Sequence, residues 1–112
     1  MRVEVHTEGV RQTKTLSEDV ERSTRLAFGS VSARTRFVRV SLGRSQKAHQ
    51  ETCCHVFVCL ETSEVVLVDY AGVDVDLEEL VRGALRRAVT SARRKLCEIE
   101  PVVAGPQSSL RM

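Results

Sequence analysis

A chain of 112 residues, 42% hydrophobic and 29% charged with no tryptophan, has the material for one apolar core and no room for a second. No apolar run approaches the roughly 20 residues needed to span a bilayer, and Met1-Arg2-Val3-Glu4-Val5 reads as a strand and not as a signal peptide. A cytoplasmic domain without membrane contact is expected, and with 17 basic against 15 acidic residues its net charge is only +2, so any affinity for nucleic acid must come from where the charges sit.

Val3 and Val5 alternate with Arg2, Glu4 and His6, the pattern of a short half-buried strand that ends in a turn around Glu8-Gly9. Thr15-Leu16-Ser17-Glu18 has the form of a capping box, in which a hydroxyl and a carboxylate three residues on satisfy each other's backbone amides. The helix it opens runs through Leu16, Val20, Thr24, Ala27 and Phe28 to a stop at Gly29. Residues 37–42 alternate again, with Val38, Val40 and Leu42 on one face, and predict a second strand. The polar stretch 43–51, with Arg44, Lys47 and His49, reads as a mobile basic loop. Residues 54–60 and 65–70 are β-rich runs joined by Glu61-Thr62-Ser63-Glu64, a hairpin.

Asp76, with Glu79 three residues later, is a second capping box and opens the most informative element. Leu77, Leu80, Val81, Ala84, Leu85, Ala88, Val89, Ala92 and Leu96 follow the i, i+3, i+4, i+7 series of an amphipathic helix. At 100° per residue Arg82, Arg86 and Arg93 fall within roughly 40° of one another on the opposite face, with Arg87 and Arg94 in a second stripe beside them. Planar guanidinium forks suit phosphate oxygens, so RNA or another polyphosphate is the first partner to consider; the bland alternative is a solvated basic face. Beyond residue 100, Pro101, Gly105, Pro106 and Ser108-Ser109 predict a flexible tail over 101–112, leaving 1–100 as the single domain.

Four cysteines in a chain read as cytoplasmic are expected to be reduced thiols. Cys53, Cys54, His55 and Cys59 crowd together, but no C-x-x-C pair exists and adjacent Cys53 and Cys54 point to opposite faces of a strand, so no metal is expected. Cys54 reads as a small core residue. There is no phosphate-binding glycine loop, no nucleophile elbow and no paired-carboxylate pattern, and His6, His49 and His55 are scattered. Glu78 and Glu79 are explained by the helix dipole. The expectation is a non-enzyme with no cofactor and no small-molecule substrate.

The order β-α-β-β-β-α gives an α+β domain, a four-stranded sheet with two helices packed on one face. With its opening strand Val3-Glu4-Val5-His6-Thr7, the spacing of Leu16, Val20, Phe28 and Gly29, the strands Val38-Arg39-Val40-Ser41-Leu42 and Cys54-His55-Val56-Phe57-Val58-Cys59-Leu60, and the basic second helix, the chain resembles the ribosome hibernation-promoting factors. These are also called ribosome-associated inhibitor or sigma-54 modulation proteins. The resemblance runs from Val3 to about Lys95, to a divergent short form without the second domain of the long members. It implies a double-stranded-RNA-binding-domain-like outline and docking in the small ribosomal subunit, where ribosomal RNA is met by basic helix faces and translation stops during stress. Arg82, Arg86, Arg87, Arg93, Arg94 and Lys95 occupy the region of the family's basic second-helix residues, and Arg22 and Arg25 that of the first helix.

Alternation also points to a second surface. If Val38, Val56, Val58, Val66 and Val68 face the helices, then Phe37, Phe57, Cys59, Val65 and Leu67 face outward, a large apolar set to leave in water. A homodimer through that face is the expectation, and a protein-interaction module of the same fold that no longer binds the ribosome is the alternative function.

Overall fold

The computed structural model describes residues 1–44, 51–73 and 76–99. The central part of the expected basic loop, 45–50, and the tail 101–112 lie outside them. Strand β1 (Arg2–Glu8) leads to helix α1 (Lys14–Ala27), one 3-10 turn (Ser32–Arg34), strands β2 (Thr35–Arg44), β3 (Glu51–Leu60) and β4 (Val65–Val73), and helix α2 (Leu77–Ile99). The sheet order is β1-β2-β3-β4. β1 runs parallel to β2, which requires a crossover, and α1 supplies it; the other pairs are antiparallel. α1 packs over β1, α2 lies over β3 and β4, and the two helices touch, so both cover the same side.

Period-two alternation decides what those helices meet. Val38, Val40 and Leu42 from β2, Cys54, Val56, Val58 and Leu60 from β3, and Val66 and Val68 from β4 are all buried. The α2 stripe from Leu80 to Leu96 closes on them, with Ala84, Ala88 and Ala92 wholly buried; these small side chains let the helix approach closely. From α1 the core receives Val20 and Thr24, then Phe28 at its C-cap. Thr24 is buried without cost because its hydroxyl donates to the Val20 carbonyl at 2.7 Å.

The first helix begins earlier than the sequence pattern suggests. Thr13, and not Thr15, is the N-cap: its backbone is extended and its hydroxyl accepts from the Leu16 amide at 3.0 Å. Glu18 then lies beyond reach of a capping box. The approach to the helix selects Thr13, because Gln12 accepts from the Thr7 hydroxyl at 3.2 Å and donates to the Ser17 hydroxyl at 3.0 Å, bridging β1 to the first turn. At α2 Asp76 is the cap, as expected, but its carboxylate accepts from the Glu78 amide at 3.2 Å and not from that of Glu79, so the expected capping box does not form as such. The β3–β4 hairpin also forms where expected. Leu60 and Glu64 pair across a three-residue turn whose last member, Ser63, holds a left-handed φ of 73°.

Tyr70 on β4 lies against Gly83 on α2: a Cβ at position 83 would stand 2.7 Å from Cε2 of the ring. Arg87 lies on the same ring, its guanidinium carbon 5.0 Å from the centroid. Cys54 is walled in by the core, and that burial, with a smaller contribution from Cys53, pushes its thiol up to about 12. All four cysteines are free thiols, Cys53 and Cys59 half-buried and Cys97 exposed.

Three outcomes check this packing. Thr13→Ala should cost about 1 kcal/mol in urea unfolding while Thr15→Ala changes stability by less than about 0.5 kcal/mol. Gly83→Ala gains about 1 kcal/mol of helix propensity but must displace a packed ring, an overpacking cost of roughly 1–3 kcal/mol; a net loss is expected, with altered emission from Tyr70, the chain's one tyrosine. A thiol reagent near neutral pH should modify Cys97 and spare Cys54 until the protein is unfolded, and equal rates at the two would contradict the burial.

Candidate nucleic-acid interface

The arginines of α2 do not form one uniform stripe. Arg82, Arg86 and Arg93 line a groove between the two helices, a cavity of about 500 Å³ whose floor and far wall are Leu85, Val89, Ala27, Ser23 and Leu26. Leu26 is the most exposed large apolar residue described, at 75%. Further toward both helix N-termini the same valley is lined by Asp19, Asp76 and Glu78 around Leu16, Leu77 and Val81. The helices therefore run side by side in the same direction, and the valley between them passes from acidic to basic. Acids at the start of α2 complement the helix dipole, whereas its last turn carries no basic residue, so the dipole does not account for Arg93, Arg94 and Lys95.

The individual partners separate the arginines further. Arg82 reaches back to Glu78 at 3.3 Å, an exposed i,i+4 pair worth a few tenths of a kcal/mol that an incoming phosphate displaces easily. Arg93 crosses the end of the groove and donates to the Ser30 hydroxyl at 2.6 Å, which fixes its guanidinium above the valley. Arg86 makes no ion pair among the described residues. It stands on the crest of α2 and lines both the inter-helix groove and the clefts on the β4 side, beside Tyr70 and Asp69. Arg87 is the member turned toward β4, held over Tyr70. Arg94 is exposed and Lys95 half-buried.

Arg22 and Arg25 stand apart from this group. They lie on the flank of α1 with Glu18 and Glu21, Arg22 paired with Asp19 at 3.1 Å and Arg25 with Glu21 at 3.1 Å. Arg25 also donates to the Met1 carbonyl, tying α1 to the chain start. Their charge is largely answered within the helix. Leu26, Ser30 and Tyr70 are the neighbours that the sequence reading did not assign to the site. Leu26 had a signal, since six residues at 100° each place it about 240° from Val20 and off the buried stripe; Ser30 and Tyr70 enter through tertiary contacts alone.

The other side of the sheet is a grid of four cross-strand rows. Arg2, Phe37, Cys59 and Val65 form the first, Glu4, Arg39, Phe57 and Leu67 the second, and His6, Ser41, His55 and Asp69 the third; Glu8, Gly43, Cys53 and Ala71 complete it. Phe37 and Phe57 meet edge to face at 6.2 Å. Arg39 covers Phe37 at 5.3 Å and Arg2 at 5.9 Å. The His6 ring, with Arg2 and Arg39, holds the Glu4 carboxyl below its ordinary value. Asp69 accepts from or pairs with Nδ1 of His55 at 2.5 Å, so Ser41, His55 and Asp69 stand in the order of a nucleophile, a base and its orienting acid. Ser41 makes no hydrogen bond to His55 among the described residues, so the row lacks the contact between nucleophile and base that such an arrangement uses.

Among the described residues no group of three or more His, Cys, Asp or Glu side chains is placed to hold a metal ion, and no helix is long and apolar enough to cross a membrane. No protein-family model matches the chain, and no curated protein matches it. Solved structures do. The crystal structure of the Protein Y N-terminal domain from Thermus thermophilus superposes with a TM-score of 0.67 at 18% identity, over 85% of this chain and 99% of that one. A ribosomal subunit interface protein from Coxiella burnetii gives 0.66 at 12% identity, over 86% of this chain and 99% of that one. These are neighbours of the kind that the resemblance to the hibernation-promoting factors predicts, and the chain has their fold.

Proposed function

We propose that this protein is a ribosome-associated translation inhibitor of the hibernation-factor type, and that it contacts ribosomal RNA of the small subunit through the arginine-lined side of α2. The observation that carries the reading is the convergence of Arg82, Arg86 and Arg93 on one groove, with Arg86 unpaired among the described residues and Arg82 held only by an exposed pair. Guanidinium groups fixed along one helix meet phosphate oxygens bidentately and need little reorganisation to do so. The fold it shares with a protein described as a ribosomal subunit interface protein supports the same partner. Its near-neutral total charge argues for a local electrostatic footprint, as opposed to a general affinity for polyanions.

Arg87 and Arg94 extend the surface toward β4, while Arg22 and Arg25, answered by their own acids, contribute less. The apolar floor around Leu26 is suited to ribose edges that a row of phosphates brings against it. No reaction is required of any of these groups, so the inhibitor acts by occupying space on the subunit.

Cosedimentation with isolated small subunits over a salt series tests the proposal. If about four phosphates are neutralised, raising salt from 50 to 200 mM should weaken binding on the order of a hundredfold. The triple change Arg82→Glu, Arg86→Glu and Arg93→Glu should abolish binding and relief of translation should follow, with the melting temperature within about 3 °C of wild type because all three side chains are exposed. The double change Arg22→Glu and Arg25→Glu should cost far less. Undiminished binding by the triple variant overturns the proposal.

A further inference from the structure

We infer that the open face of the sheet is a self-association surface, and that its occupant is a second copy of this chain seated across all four strands, with the apolar β3–β4 half at the core of the contact. The helices leave that face uncovered among the described residues, and its apolar residues are contiguous: Phe57 is flanked by Leu67 in its own row, and by Cys59 and Val65 in the row beside it, with Phe37 in edge contact. Leu67 is 72% exposed and Val65 39%. Sheet faces of this kind ordinarily alternate apolar-in and polar-out, and β1 does so here with Arg2, Glu4, His6 and Glu8. Strands β3 and β4 do not.

Charge selects the occupant. The four rows carry Arg2 and Arg39 against Glu4, Glu8 and Asp69, nearly balanced and with Glu4 bonded to Arg39 at 3.4 Å. Two copies meeting on this face bring no field of one sign together. Meeting on the helical side, they would oppose the arginines of α2, so the open face is where identical chains approach without repulsion. Area sets the strength. Four strands about 4.8 Å apart and seven to ten residues long, at roughly 3.3 Å per residue, present about 500 Å² per copy, or about 1,000 Å² for the pair, near the lower limit for a specific interface. The dimer is thus of the weak, transient class, formed as concentration rises.

Two exposed leucines on opposite sides give the experiment its control. Sedimentation equilibrium of the wild type from 1 to about 500 μM should show the mass rising from 12.5 kDa toward twice that value. Leu67→Glu, at a position that contributes little to the fold, should raise the dimer Kd at least tenfold and leave the melting temperature at low concentration unchanged. Leu26→Glu, in the helical groove, should dimerise like the wild type. Phe57→Glu should also run as a monomer where it folds. A wild type that stays monomeric throughout, a Leu67→Glu variant that associates normally, or association lost in Leu26→Glu alone each overturns the inference. Leu67 borders the edge cleft with Arg86 and Arg87 but not the inter-helix groove, so loss of the dimer in Leu67→Glu with small-subunit binding intact separates this inference from the proposed function.

Discussion

Everything in this structure depends on one mismatch of periods that is resolved by covering only one side. Four strands alternate every second residue, so each offers half its side chains to either face. Two helices with a 3.6-residue repeat can cover only one of those faces. α2 does most of this, its Ala84, Ala88 and Ala92 fully buried in the core over β3 and β4. Replacing any of these alanines with a larger residue lifts the helix from the sheet, whereas a larger group at an outward position meets only solvent. The buried face is therefore fixed by packing. The two remaining surfaces, the outer sides of the helices and the outer face of the sheet, are free to serve binding.

The charge pattern follows from the same arrangement. Acidic groups gather where α2 begins, at Asp76, Glu78 and Glu79, with Asp19 of α1 lining the same end of the valley, and the arginines of α2 follow along its length. The helix dipole favours acids at that start, but it explains nothing further along: Arg82 and Arg86 sit well inside the helix, beyond the reach of either terminus, and its last turn carries no basic residue. Their presence on the groove is not required for folding. Arg82 spends its charge on a replaceable surface pair and Arg86 on none among the described residues, and this distinguishes both from Arg22 and Arg25, whose carboxylate partners are one turn away on the same helix.

The strands and their facing were legible in the sequence because period-two alternation through Val38, Val40 and Leu42, or Val56 and Val58, has one solution once a face must be buried. The second helix was legible for the same reason at its own period. Thr13 as the first cap was not, since Thr13 and Thr15 are both competent and the choice rests on Gln12 bridging two elements far apart in local geometry. Nor was the separation of Arg22 and Arg25 from the α2 group, because angular position on one helix says nothing about the lateral placement of another. Tyr70 against Gly83 and Arg87 is a contact between β4 and α2 that no local pattern encodes.

The two binding surfaces bear on each other through geometry alone. Sheets packed face to face stand about 10 Å apart, and each copy's helices lie on the far side of its own sheet. In such a pair the two arginine grooves face away from one another, unblocked and rigidly related, so the two grooves of a dimer cannot engage one flat site together. Linked sites gain avidity only when both can be reached at once. A ribosomal subunit offering one site for this fold thus gains nothing from the second copy, whereas two subunits, or two separated RNA elements, do. Weak self-association suits that logic, because by mass action pairing becomes significant only as the protein accumulates, and on the proposed function single subunits would be met by the monomer first.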